Sequence, residues 1–338
     1  MSVDTTLPTG CGPLLPHDAM GAKPMRQQIF EHVRAAGRAT RTDVIRALGI
    51  SAGSATALTA DLIGAGFLRE VDSIPRETGR GRPAVALEVV PETHLVIGIK
   101  LSDEIHSAVL TDFAGNTLAT ASLRTPAGPK PLDAILTEVA TLVQDVLDVA
   151  NKTKDDVAAV GIGMSGIVDH QAGTVPWSPL LAQRNCDFAT AFQARFGLPL
   201  YLDNDANMLT LAELWFGAGR AKSDFAVVTI EHGVGMGLVI DNRLYRGARG
   251  MGLELGHTKV QLDGALCRCG QRGCLEAYLA DYALAREAAT ALHHQPHERQ
   301  SPNALLDALF TQAKAGNEAA QTIFRRAGRY LSVGLANV

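Results

Sequence analysis

The sequence holds no run of about 18 or more apolar residues, the length a membrane-spanning helix needs. Its first twenty residues, MSVDTTLPTGCGPLLPHDAM, have neither a basic segment nor a continuous apolar core. Together these absences exclude an ordinary spanning helix and a secretory leader, so the expected location is the cytoplasm, with no membrane partner. No repeat of solenoid period and no low-complexity tract is visible, which excludes a stacked array. A dominant charge of one sign is missing too: the net charge is −4, and it averages over segments of opposite character. Between Met20 and Val90 ten Lys or Arg stand against seven Asp or Glu, so that stretch is mildly basic and the remainder acidic. Cysteine is scarce, five residues in 338, and a reducing compartment makes clustered cysteines metal or redox sites rather than disulfides. What is present, 46% hydrophobic and 20% charged residues, is the composition of a chain with a sizeable core and room for two or three domains.

Three of the five cysteines fall in one window, Gly256 to Glu276, which reads GHTKVQLDGALCRCGQRGCLE. His257, Cys267, Cys269 and Cys274 are four borderline or soft ligands, the set a closed tetrahedral structural zinc site requires. Gly270 and Gly273 free the backbone to fold back so that three thiolates converge, and the ion then replaces hydrophobic burial in an irregular loop.

The run Gly256-His257, a spacer, then Cys267-x-Cys269-Gly270-x-x-Gly273-Cys274-x-Glu276 resembles the signature of the ROK family of repressors, open reading frames and sugar kinases. From about Leu95 to the C-terminus the chain can be laid along that family almost without gaps, and the upstream portion resembles its repressor branch. The resemblance implies an α/β fold: an N-terminal winged helix-turn-helix followed by a two-lobed actin- and hexokinase-like domain. The expected domains are a flexible arm over 1–22, a winged helix-turn-helix over 23–92, a first lobe over 93–215 and a second lobe with the zinc loop over 216–338.

Pro24 sits where helices begin, and Met25, Ile29 and Val33 recur at helical spacing until Gly37 stops the pattern. A second short helix is expected over Arg38 to Gly49 with Val44, Ile45 and Leu48 inward. Ser51 can cap a third, running to about Gly64, with Ala55, Leu58 and Leu62 on one face. Three short helices with a glycine in the second turn are the pattern of a helix-turn-helix. Phe67 to Val71 and Ala84 to Val89 read as two strands around a turn holding Arg76, Arg80 and Arg82. That turn, GRGRPA, resembles the basic wing of the ROK repressors, where arginines reach phosphates and glycines let the backbone approach. The third helix lacks Lys and Arg on its outward residues, so base readout would rest on Ser51, Ser54, Thr56 and Thr59, on methyl contacts and on DNA shape.

From Leu95 strands alternate with helices. Strands are expected at Leu95 to Ile99, Ser107 to Thr111, Thr117 to Ser122, Val157 to Met164, Leu198 to Leu202, Phe225 to Ile230 and Gly237 to Ile240, with a helix from Leu132 to Val149. Two such series imply two lobes facing a cleft. The polar stretch around His293, His294 and His297 is expected to be a surface loop. Asn204 and Asp205 follow a strand, where open α/β sheets place ligands. By the resemblance, Asp205 matches the general base of the sugar kinases, Glu254, His257 and Glu276 match further sugar contacts, and Ser165, Gly166 and Asp169 belong to the first sugar loop. A carboxylate accepts a sugar hydroxyl whether or not chemistry follows, so Asp205 supports a polyol site rather than a kinase alone; its other reading is a helix N-cap. Leu180 stands where many members have Asn.

A kinase of this family needs Asp-x-Gly-Gly-Thr after its first strand; this chain has Lys100-Leu101-Ser102-Asp103-Glu104. Asp103 and Glu104 would face a polyphosphate with the wrong charge. The second phosphate loop reads Glu231-His232-Gly233-Val234-Gly235-Met236-Gly237, which again adds a carboxylate and bulk. The expectation is therefore no enzyme but a sugar-responsive transcriptional regulator, a repressor of carbohydrate genes. Its partners would be operator DNA and a sugar or sugar-phosphate effector, and it would be a homodimer or dimer of dimers; the alternative is an ATP-dependent kinase of a hexose or amino sugar. Asn317 to Val338 is helix-periodic, with Ile323, Ala327, Leu331 and Leu335 on one face, and its pattern runs to the last residue, so a C-terminal truncation is also expected.

Overall fold

A computed structural model describes residues 8–15, 23–72, 85–250, 252–292 and 301–338. Arg76, Arg80 and Arg82, and His293, His294 and His297, lie outside the described residues. The chain forms two compact units. One reaches Phe225 and takes in Leu238–Met251; the other comprises Ala226–Gly237 and Gly252–Val338.

The first unit opens with three helices and a small sheet. Helix α1 (Met25–Ala36) buries Ile29 and Val33 and stops at Gly37, whose φ of 77° favours a residue without a side chain. Strand β1 (Arg38–Thr40) leads into α2 (Arg41–Leu48), then α3 (Ala52–Gly64), β2 (Leu68–Asp72) and β3 (Val85–Val89). The antiparallel sheet has the order β1-β3-β2, with Arg38 opposite Glu88 and Leu68 opposite Val89. Ile29, Val33, Val44, Leu62, Leu68 and Leu87 close a common core. The expected second helix is corrected at its start. Thr40 and Asp43 form a reciprocal capping box that fixes the first helical residue at Arg41, while Arg38 is drawn into the sheet, 2.8 Å from Glu88.

Beyond the head run β4 (Leu95–Leu101), β5 (Ile105–Thr111), β6 (Thr117–Arg124), α4 (Leu132–Ala150) and β7 (Val157–Met164). After them come β8 (Ile167–Asp169), β9 (Thr174–Trp177), β10 (Cys186–Asp187), α5 (Phe188–Phe196), β11 (Leu200–Asn204) and α6 (Asp205–Phe216). The main sheet has the order β11-β7-β4-β5-β6; β11, β7 and β4 are parallel, β5 and β6 antiparallel. Helix α4 buries Ile135, Val139, Leu142 and Val146 on it, the i, i+4, i+7 stripe of a helix on a sheet. Strands β8 to β10 and helix α5 are additions to the expected elements, and β11 ends two residues later than expected, which puts Asn204 at its last position.

Pro8–Leu15 corrects the expected flexible arm. Cys11 is buried, and the amides of Gly12 and Leu14 donate to the carbonyls of Trp215 and Arg220.

Next come β12 (Phe225–Ile230), β13 (Val234–Ile240) and β14 (Arg243–Tyr245). Asp241 and Asn242, both at positive φ, make the two-residue hairpin turn between the last two, with Leu238 opposite Tyr245. The second unit takes most of β12 and the first half of β13, while β14 belongs to the first, and it holds α7 (Glu276–Leu279), α8 (Asp281–Ala291), α9 (Pro302–Lys314) and α10 (Glu318–Leu335). Ile323, Ala327 and Gly334 of α10 are buried, while Leu335, expected on that face, is largely exposed. A Cβ at Gly334 would meet Leu275 Cδ2 at 2.7 Å, so the inward stripe closes on a residue with no side chain.

Among the described residues no single helix is long and apolar enough to cross a membrane.

Candidate functional site

In the first unit Ser165 and Gly166, expected in a sugar loop, come together with Asn204 and Asp205 at the end of β11. Asn204 is the N-cap of α6: its Oδ1 accepts from the Ala206 amide at 2.9 Å and its Nδ2 donates to the Gly166 carbonyl at 2.9 Å. The N-cap position is thus Asn204 and not Asp205, which only shares the Ala206 amide. Asp205 Oδ2 accepts from Ser165 Oγ at 2.7 Å and its Oδ1 from the Ala206 amide, and each carboxylate oxygen keeps a lone pair for a further hydroxyl. Gly166 has φ 118°, and a Cβ there would collide with the Trp177 carbonyl and sit 2.7 Å from Ser178 Cα. Ser165, Gly166, Asn204 and Asp205 thus form one constellation.

Two neighbours are set by it rather than exposed in it. Asp203 is buried and accepts from Asn207 Nδ2 at 2.8 Å and from Arg246 Nε at 2.7 Å, a pair that anchors the strand end and that sequence patterning did not reveal. Asp169 is spent on its own turn, accepting from the Gln171 and Ala172 amides. Leu180 points into the core and is buried, so the position offers no polar group.

In the second unit His257, Cys267, Cys269 and Cys274 present ligand atoms that all lie within 4.8 Å of one another. Cys269 Sγ is 3.7 Å from Cys274 Sγ, and Cys267 Sγ is 3.8 Å from His257 Nδ1. The loop is closed locally. The Gly270 amide returns to Cys267 O, the Cys267 amide to Gln271 O, and a Cβ on Gly273 (φ 76°) would collide with the Gln261 peptide. Burial first, then the Cys269 side chain and nearby Glu276, push the Cys267 thiol up to about 12, whereas Cys269 is lowered: burial works against it, but the Gln271 amide and the neighbouring thiols outweigh that. Lys259 Nζ stands 2.9 Å from Cys274 Sγ, a cation placed to offset clustered thiolates. One imidazole and three thiols at these separations can hold one four-coordinate metal ion.

The remaining residues assigned to sugar contact surround that loop. His257 turns Nδ1 to the thiols and leaves Nε2 4.0 Å from Glu254, whose carboxylate is exposed. Glu276 is buried. It lies 3.3 Å from Cys267 Sγ and 3.4 Å from the Val234 amide, so it ties the metal loop to the glycine-rich turn.

The two stretches expected to match the family's phosphate loops carry internal hydrogen bonds. The Ser102 amide donates to His106 Nδ1 at 3.1 Å, the Gly128 amide to Asp103 Oδ1 at 3.1 Å, and Thr125 N–H to Glu104 O. His106 is buried and donates Nε2–H to Glu138, which also accepts from Lys130 at 2.7 Å and Thr125 at 2.6 Å. Burial holds the His106 imidazole below its usual range, hence neutral. In the second unit the Glu231 amide donates to Gly233 O, and His232 Nδ1 lies 3.3 Å from Asp281.

On the head, Ser51 caps α3 through the Ser54 amide at 3.1 Å, and Ser51, Ser54 and Thr56 are exposed. Thr59 corrects the expected DNA-facing set. It is fully buried, donates to Ala55 O and accepts from Arg41 Nε at 3.0 Å, because position 59 follows Ala55 by one helical turn and shares its inward face.

A family model described as ROK family matches residues 96–338. The chain is 34% identical over 245 residues to a protein provisionally named a xylose repressor from Caldicellulosiruptor sp. (strain Rt8B.4), covering 72% of this chain and 61% of that protein's length. Among solved structures, a ROK family transcriptional regulator, described as a homolog of the E. coli MLC protein, superposes with a TM-score of 0.72. It is 25% identical and covers 88% of this chain and 75% of its own. A ROK family glucokinase from Streptomyces griseus, solved with glucose and AMPPNP, superposes with a TM-score of 0.61 at 31% identity, covering 72% of this chain and 78% of its own.

Proposed function

The chain belongs to the ROK family, and from that premise we propose that it is a sugar-responsive DNA-binding transcriptional regulator, a repressor of carbohydrate genes, working in the cytoplasm. The observation that carries this reading is the reach of the superpositions: the regulator extends over 88% of the chain, the glucokinase over 72%. The additional span corresponds in size to the three-helix head. That head has the order of a winged helix-turn-helix, with α3 as the helix that enters the major groove and β2–β3 as the wing. Ser51, Ser54 and Thr56 face the bases, and Arg76, Arg80 and Arg82 contact phosphates. One short helix and a wing bury too little to be specific alone, so the protein binds an inverted-repeat operator as a homodimer or dimer of dimers.

The effector is a sugar or sugar phosphate. Within the first unit, Ser165, Gly166, Asn204 and Asp205 are the groups that bind sugar hydroxyls; within the second, Glu254, His257 and Glu276 are the residues that the family resemblance assigns to sugar contact. The metal is a structural zinc, held by His257, Cys267, Cys269 and Cys274; no position is left open for water, and its chemistry is to fix the loop that carries His257 and Glu276.

A second reading, ATP-dependent phosphorylation of a hexose or amino sugar, draws on the Ser165–Asp205 geometry, which suits a general base. Against it stand the first phosphate loop, whose Ser102 amide is engaged internally, and the carboxylates of Asp103, Glu104 and Glu231. A coupled ATP assay across hexoses and amino sugars separates the two. The expected result is no sugar-dependent turnover, with retarded migration of operator DNA that a sugar alters; robust turnover abolished by Asp205→Asn would make the protein a kinase.

A further inference from the structure

Arg220 follows α6 in a single 3-10 turn, is 4% exposed, and among the described residues has no carboxylate partner. Its guanidinium donates instead to three carbonyls: Nε to Gly12 at 3.0 Å, Nη1 to Pro8 at 2.5 Å and Nη2 to Ala35 at 2.6 Å. Two belong to the Pro8–Leu15 segment. The third is in the last turn of α1, where carbonyls have no intrahelical donor and a cation opposes the helix dipole. The segment is laced to both sides. Its Cys11 amide donates to Arg34 O at 3.1 Å on α1, its Gly12 amide to Trp215 O at 2.7 Å on α6, and its Leu14 amide to Arg220 O at 2.8 Å. The Arg34 guanidinium lies 4.1 Å over the Trp215 ring, and its Nε is buried with no hydrogen-bond partner, so the ring face is what holds it.

The C-terminal end of α6 is therefore fastened to the C-terminal end of α1, while the N-terminal end of α6 is Asn204 and Asp205. A helix of this length is a stiff rod of roughly 18 Å, so a shift at its first turn arrives at Trp215. A buried cation held only by carbonyls does not release them one at a time, because each loss leaves desolvated charge unpaired. Breaking any one of these bonds is therefore costly, and the junction moves as a unit with the end of α6.

We propose that Pro8–Leu15 is a strap, locked by Arg220, through which sugar binding at Asn204 and Asp205 resets the three-helix head. This rests on the regulator reading above, and Arg220 in it is a positioning residue that touches neither sugar nor DNA.

The test uses the full chain, D-xylose, D-glucose and glucose 6-phosphate as probes, and a duplex selected from a random pool by the wild-type protein. Sugar binding is read by melting temperature, DNA affinity by fluorescence anisotropy. The wild type is expected to change DNA affinity by about tenfold or more with a binding sugar; Arg220→Met should bind the same sugar yet hold that change within about twofold. Trp215 is one of two tryptophans, so in Trp177→Phe its emission reports on the strap directly and without DNA, and it should shift on adding that sugar. A sugar that raises the melting temperature but leaves Trp215 emission unmoved overturns the strap alone. So does an Arg220→Met protein with undiminished coupling. Should the wild type bind no sugar of the panel, the regulator reading fails and the strap with it; sugar binding and a Trp215 shift without any DNA binding would remove the regulator reading while leaving the strap as a relay to α1.

Discussion

Replacing Cys274 with serine tests the zinc reading at its most enclosed ligand. Cys274 is fully buried, and its sulfur lies 3.7 Å from that of Cys269. Two sulfurs at about 2.3 Å from one tetrahedral zinc are held about 3.8 Å apart, so the thiols already stand where the ion requires them. The loop has little else to hold it: its local apolar cluster is Cys267, Cys274 and Ala277, with Ala265 and Tyr278 at the margin. Structural zinc contributes about 10–16 kcal/mol in small metallo-domains, which over four ligands is about 2.5–4 kcal/mol each. Losing one thiolate should then weaken zinc by about a hundred- to a thousandfold. It also strips Lys259 of the sulfur 2.9 Å from its ammonium. After dialysis against a chelator, the wild type should retain about one zinc per chain by plasma emission spectrometry and Cys274→Ser less than about half, with a lower melting temperature. Cys186→Ser is the control, since Cys186 is buried in the first unit, outside the ligand set. The reasoning is refuted by a Cys274→Ser protein that keeps a full equivalent of zinc and melts with the parent.

Thr59→Val removes a buried hydroxyl and leaves Arg41 Nε without its acceptor, so it should destabilise the head by about 1 kcal/mol in chemical denaturation while lowering DNA affinity no more than that loss explains; a selective defect in base readout would return Thr59 to the DNA face. Gly166→Ala places a Cβ against the Trp177 carbonyl at a φ of 118°, and should destabilise by at least about 1 kcal/mol and weaken sugar binding together, as read by melting with and without sugar. Acidification from pH 7 to pH 5 should lower the melting temperature in part through His106. Burial depresses its folded pKa, so the unfolded chain takes up a proton first and stability present above about 6.5 is lost as the pH falls. His106→Gln, which keeps polar atoms but does not titrate, should show a shallower decline, and an unchanged slope would exclude His106 as its source.

The His257, Cys267, Cys269 and Cys274 cluster was legible because its members lie in one short window and its glycines declare the turns; α1 and α3 were legible through apolar spacing over whole helical turns. Short elements were not. Strands of two to four residues such as β1, β8, β9 and β10 have no period to read, and β1 is specified by a partner fifty residues away, Glu88. The start of β11 was misread because Leu198, buried before the strand begins, extends its apolar pattern backwards. Thr59 was placed outward on its hydroxyl chemistry, although its spacing from Ala55 already put it inside. The least legible features are those built from single polar residues far apart in the chain: Arg220 with Pro8, Gly12 and Ala35, Arg246 with Asp203, and His106 with Glu138. An isolated arginine or histidine carries no local pattern, and only the fold reveals that it is buried and what it is bonded to.

That last class bears on what separates a regulator from a kinase in one architecture. A polyphosphate loop works by leaving backbone amides without internal acceptors so that a ligand can supply them. In this chain the Ser102 amide of the first loop already has an acceptor, His106, while Asp103 and the Glu104 carbonyl accept from the Gly128 and Thr125 amides beyond β6. The acceptors are themselves fixed, His106 by Glu138, and Glu138 by Lys130 and Thr125. Substituting glycines for Ser102 and Asp103 would remove bulk and one carboxylate but not the imidazole that occupies the Ser102 amide. On the proposed reading the loop has therefore become a structural corner, with its hydrogen bonds turned inward. The end of β11 keeps the opposite arrangement, since Asn204 performs the capping and leaves Asp205 with acceptor capacity facing out. A site that must bind hydroxyls without transferring phosphate needs that division: one loop satisfied by its own side chains, the other held open by a neighbour.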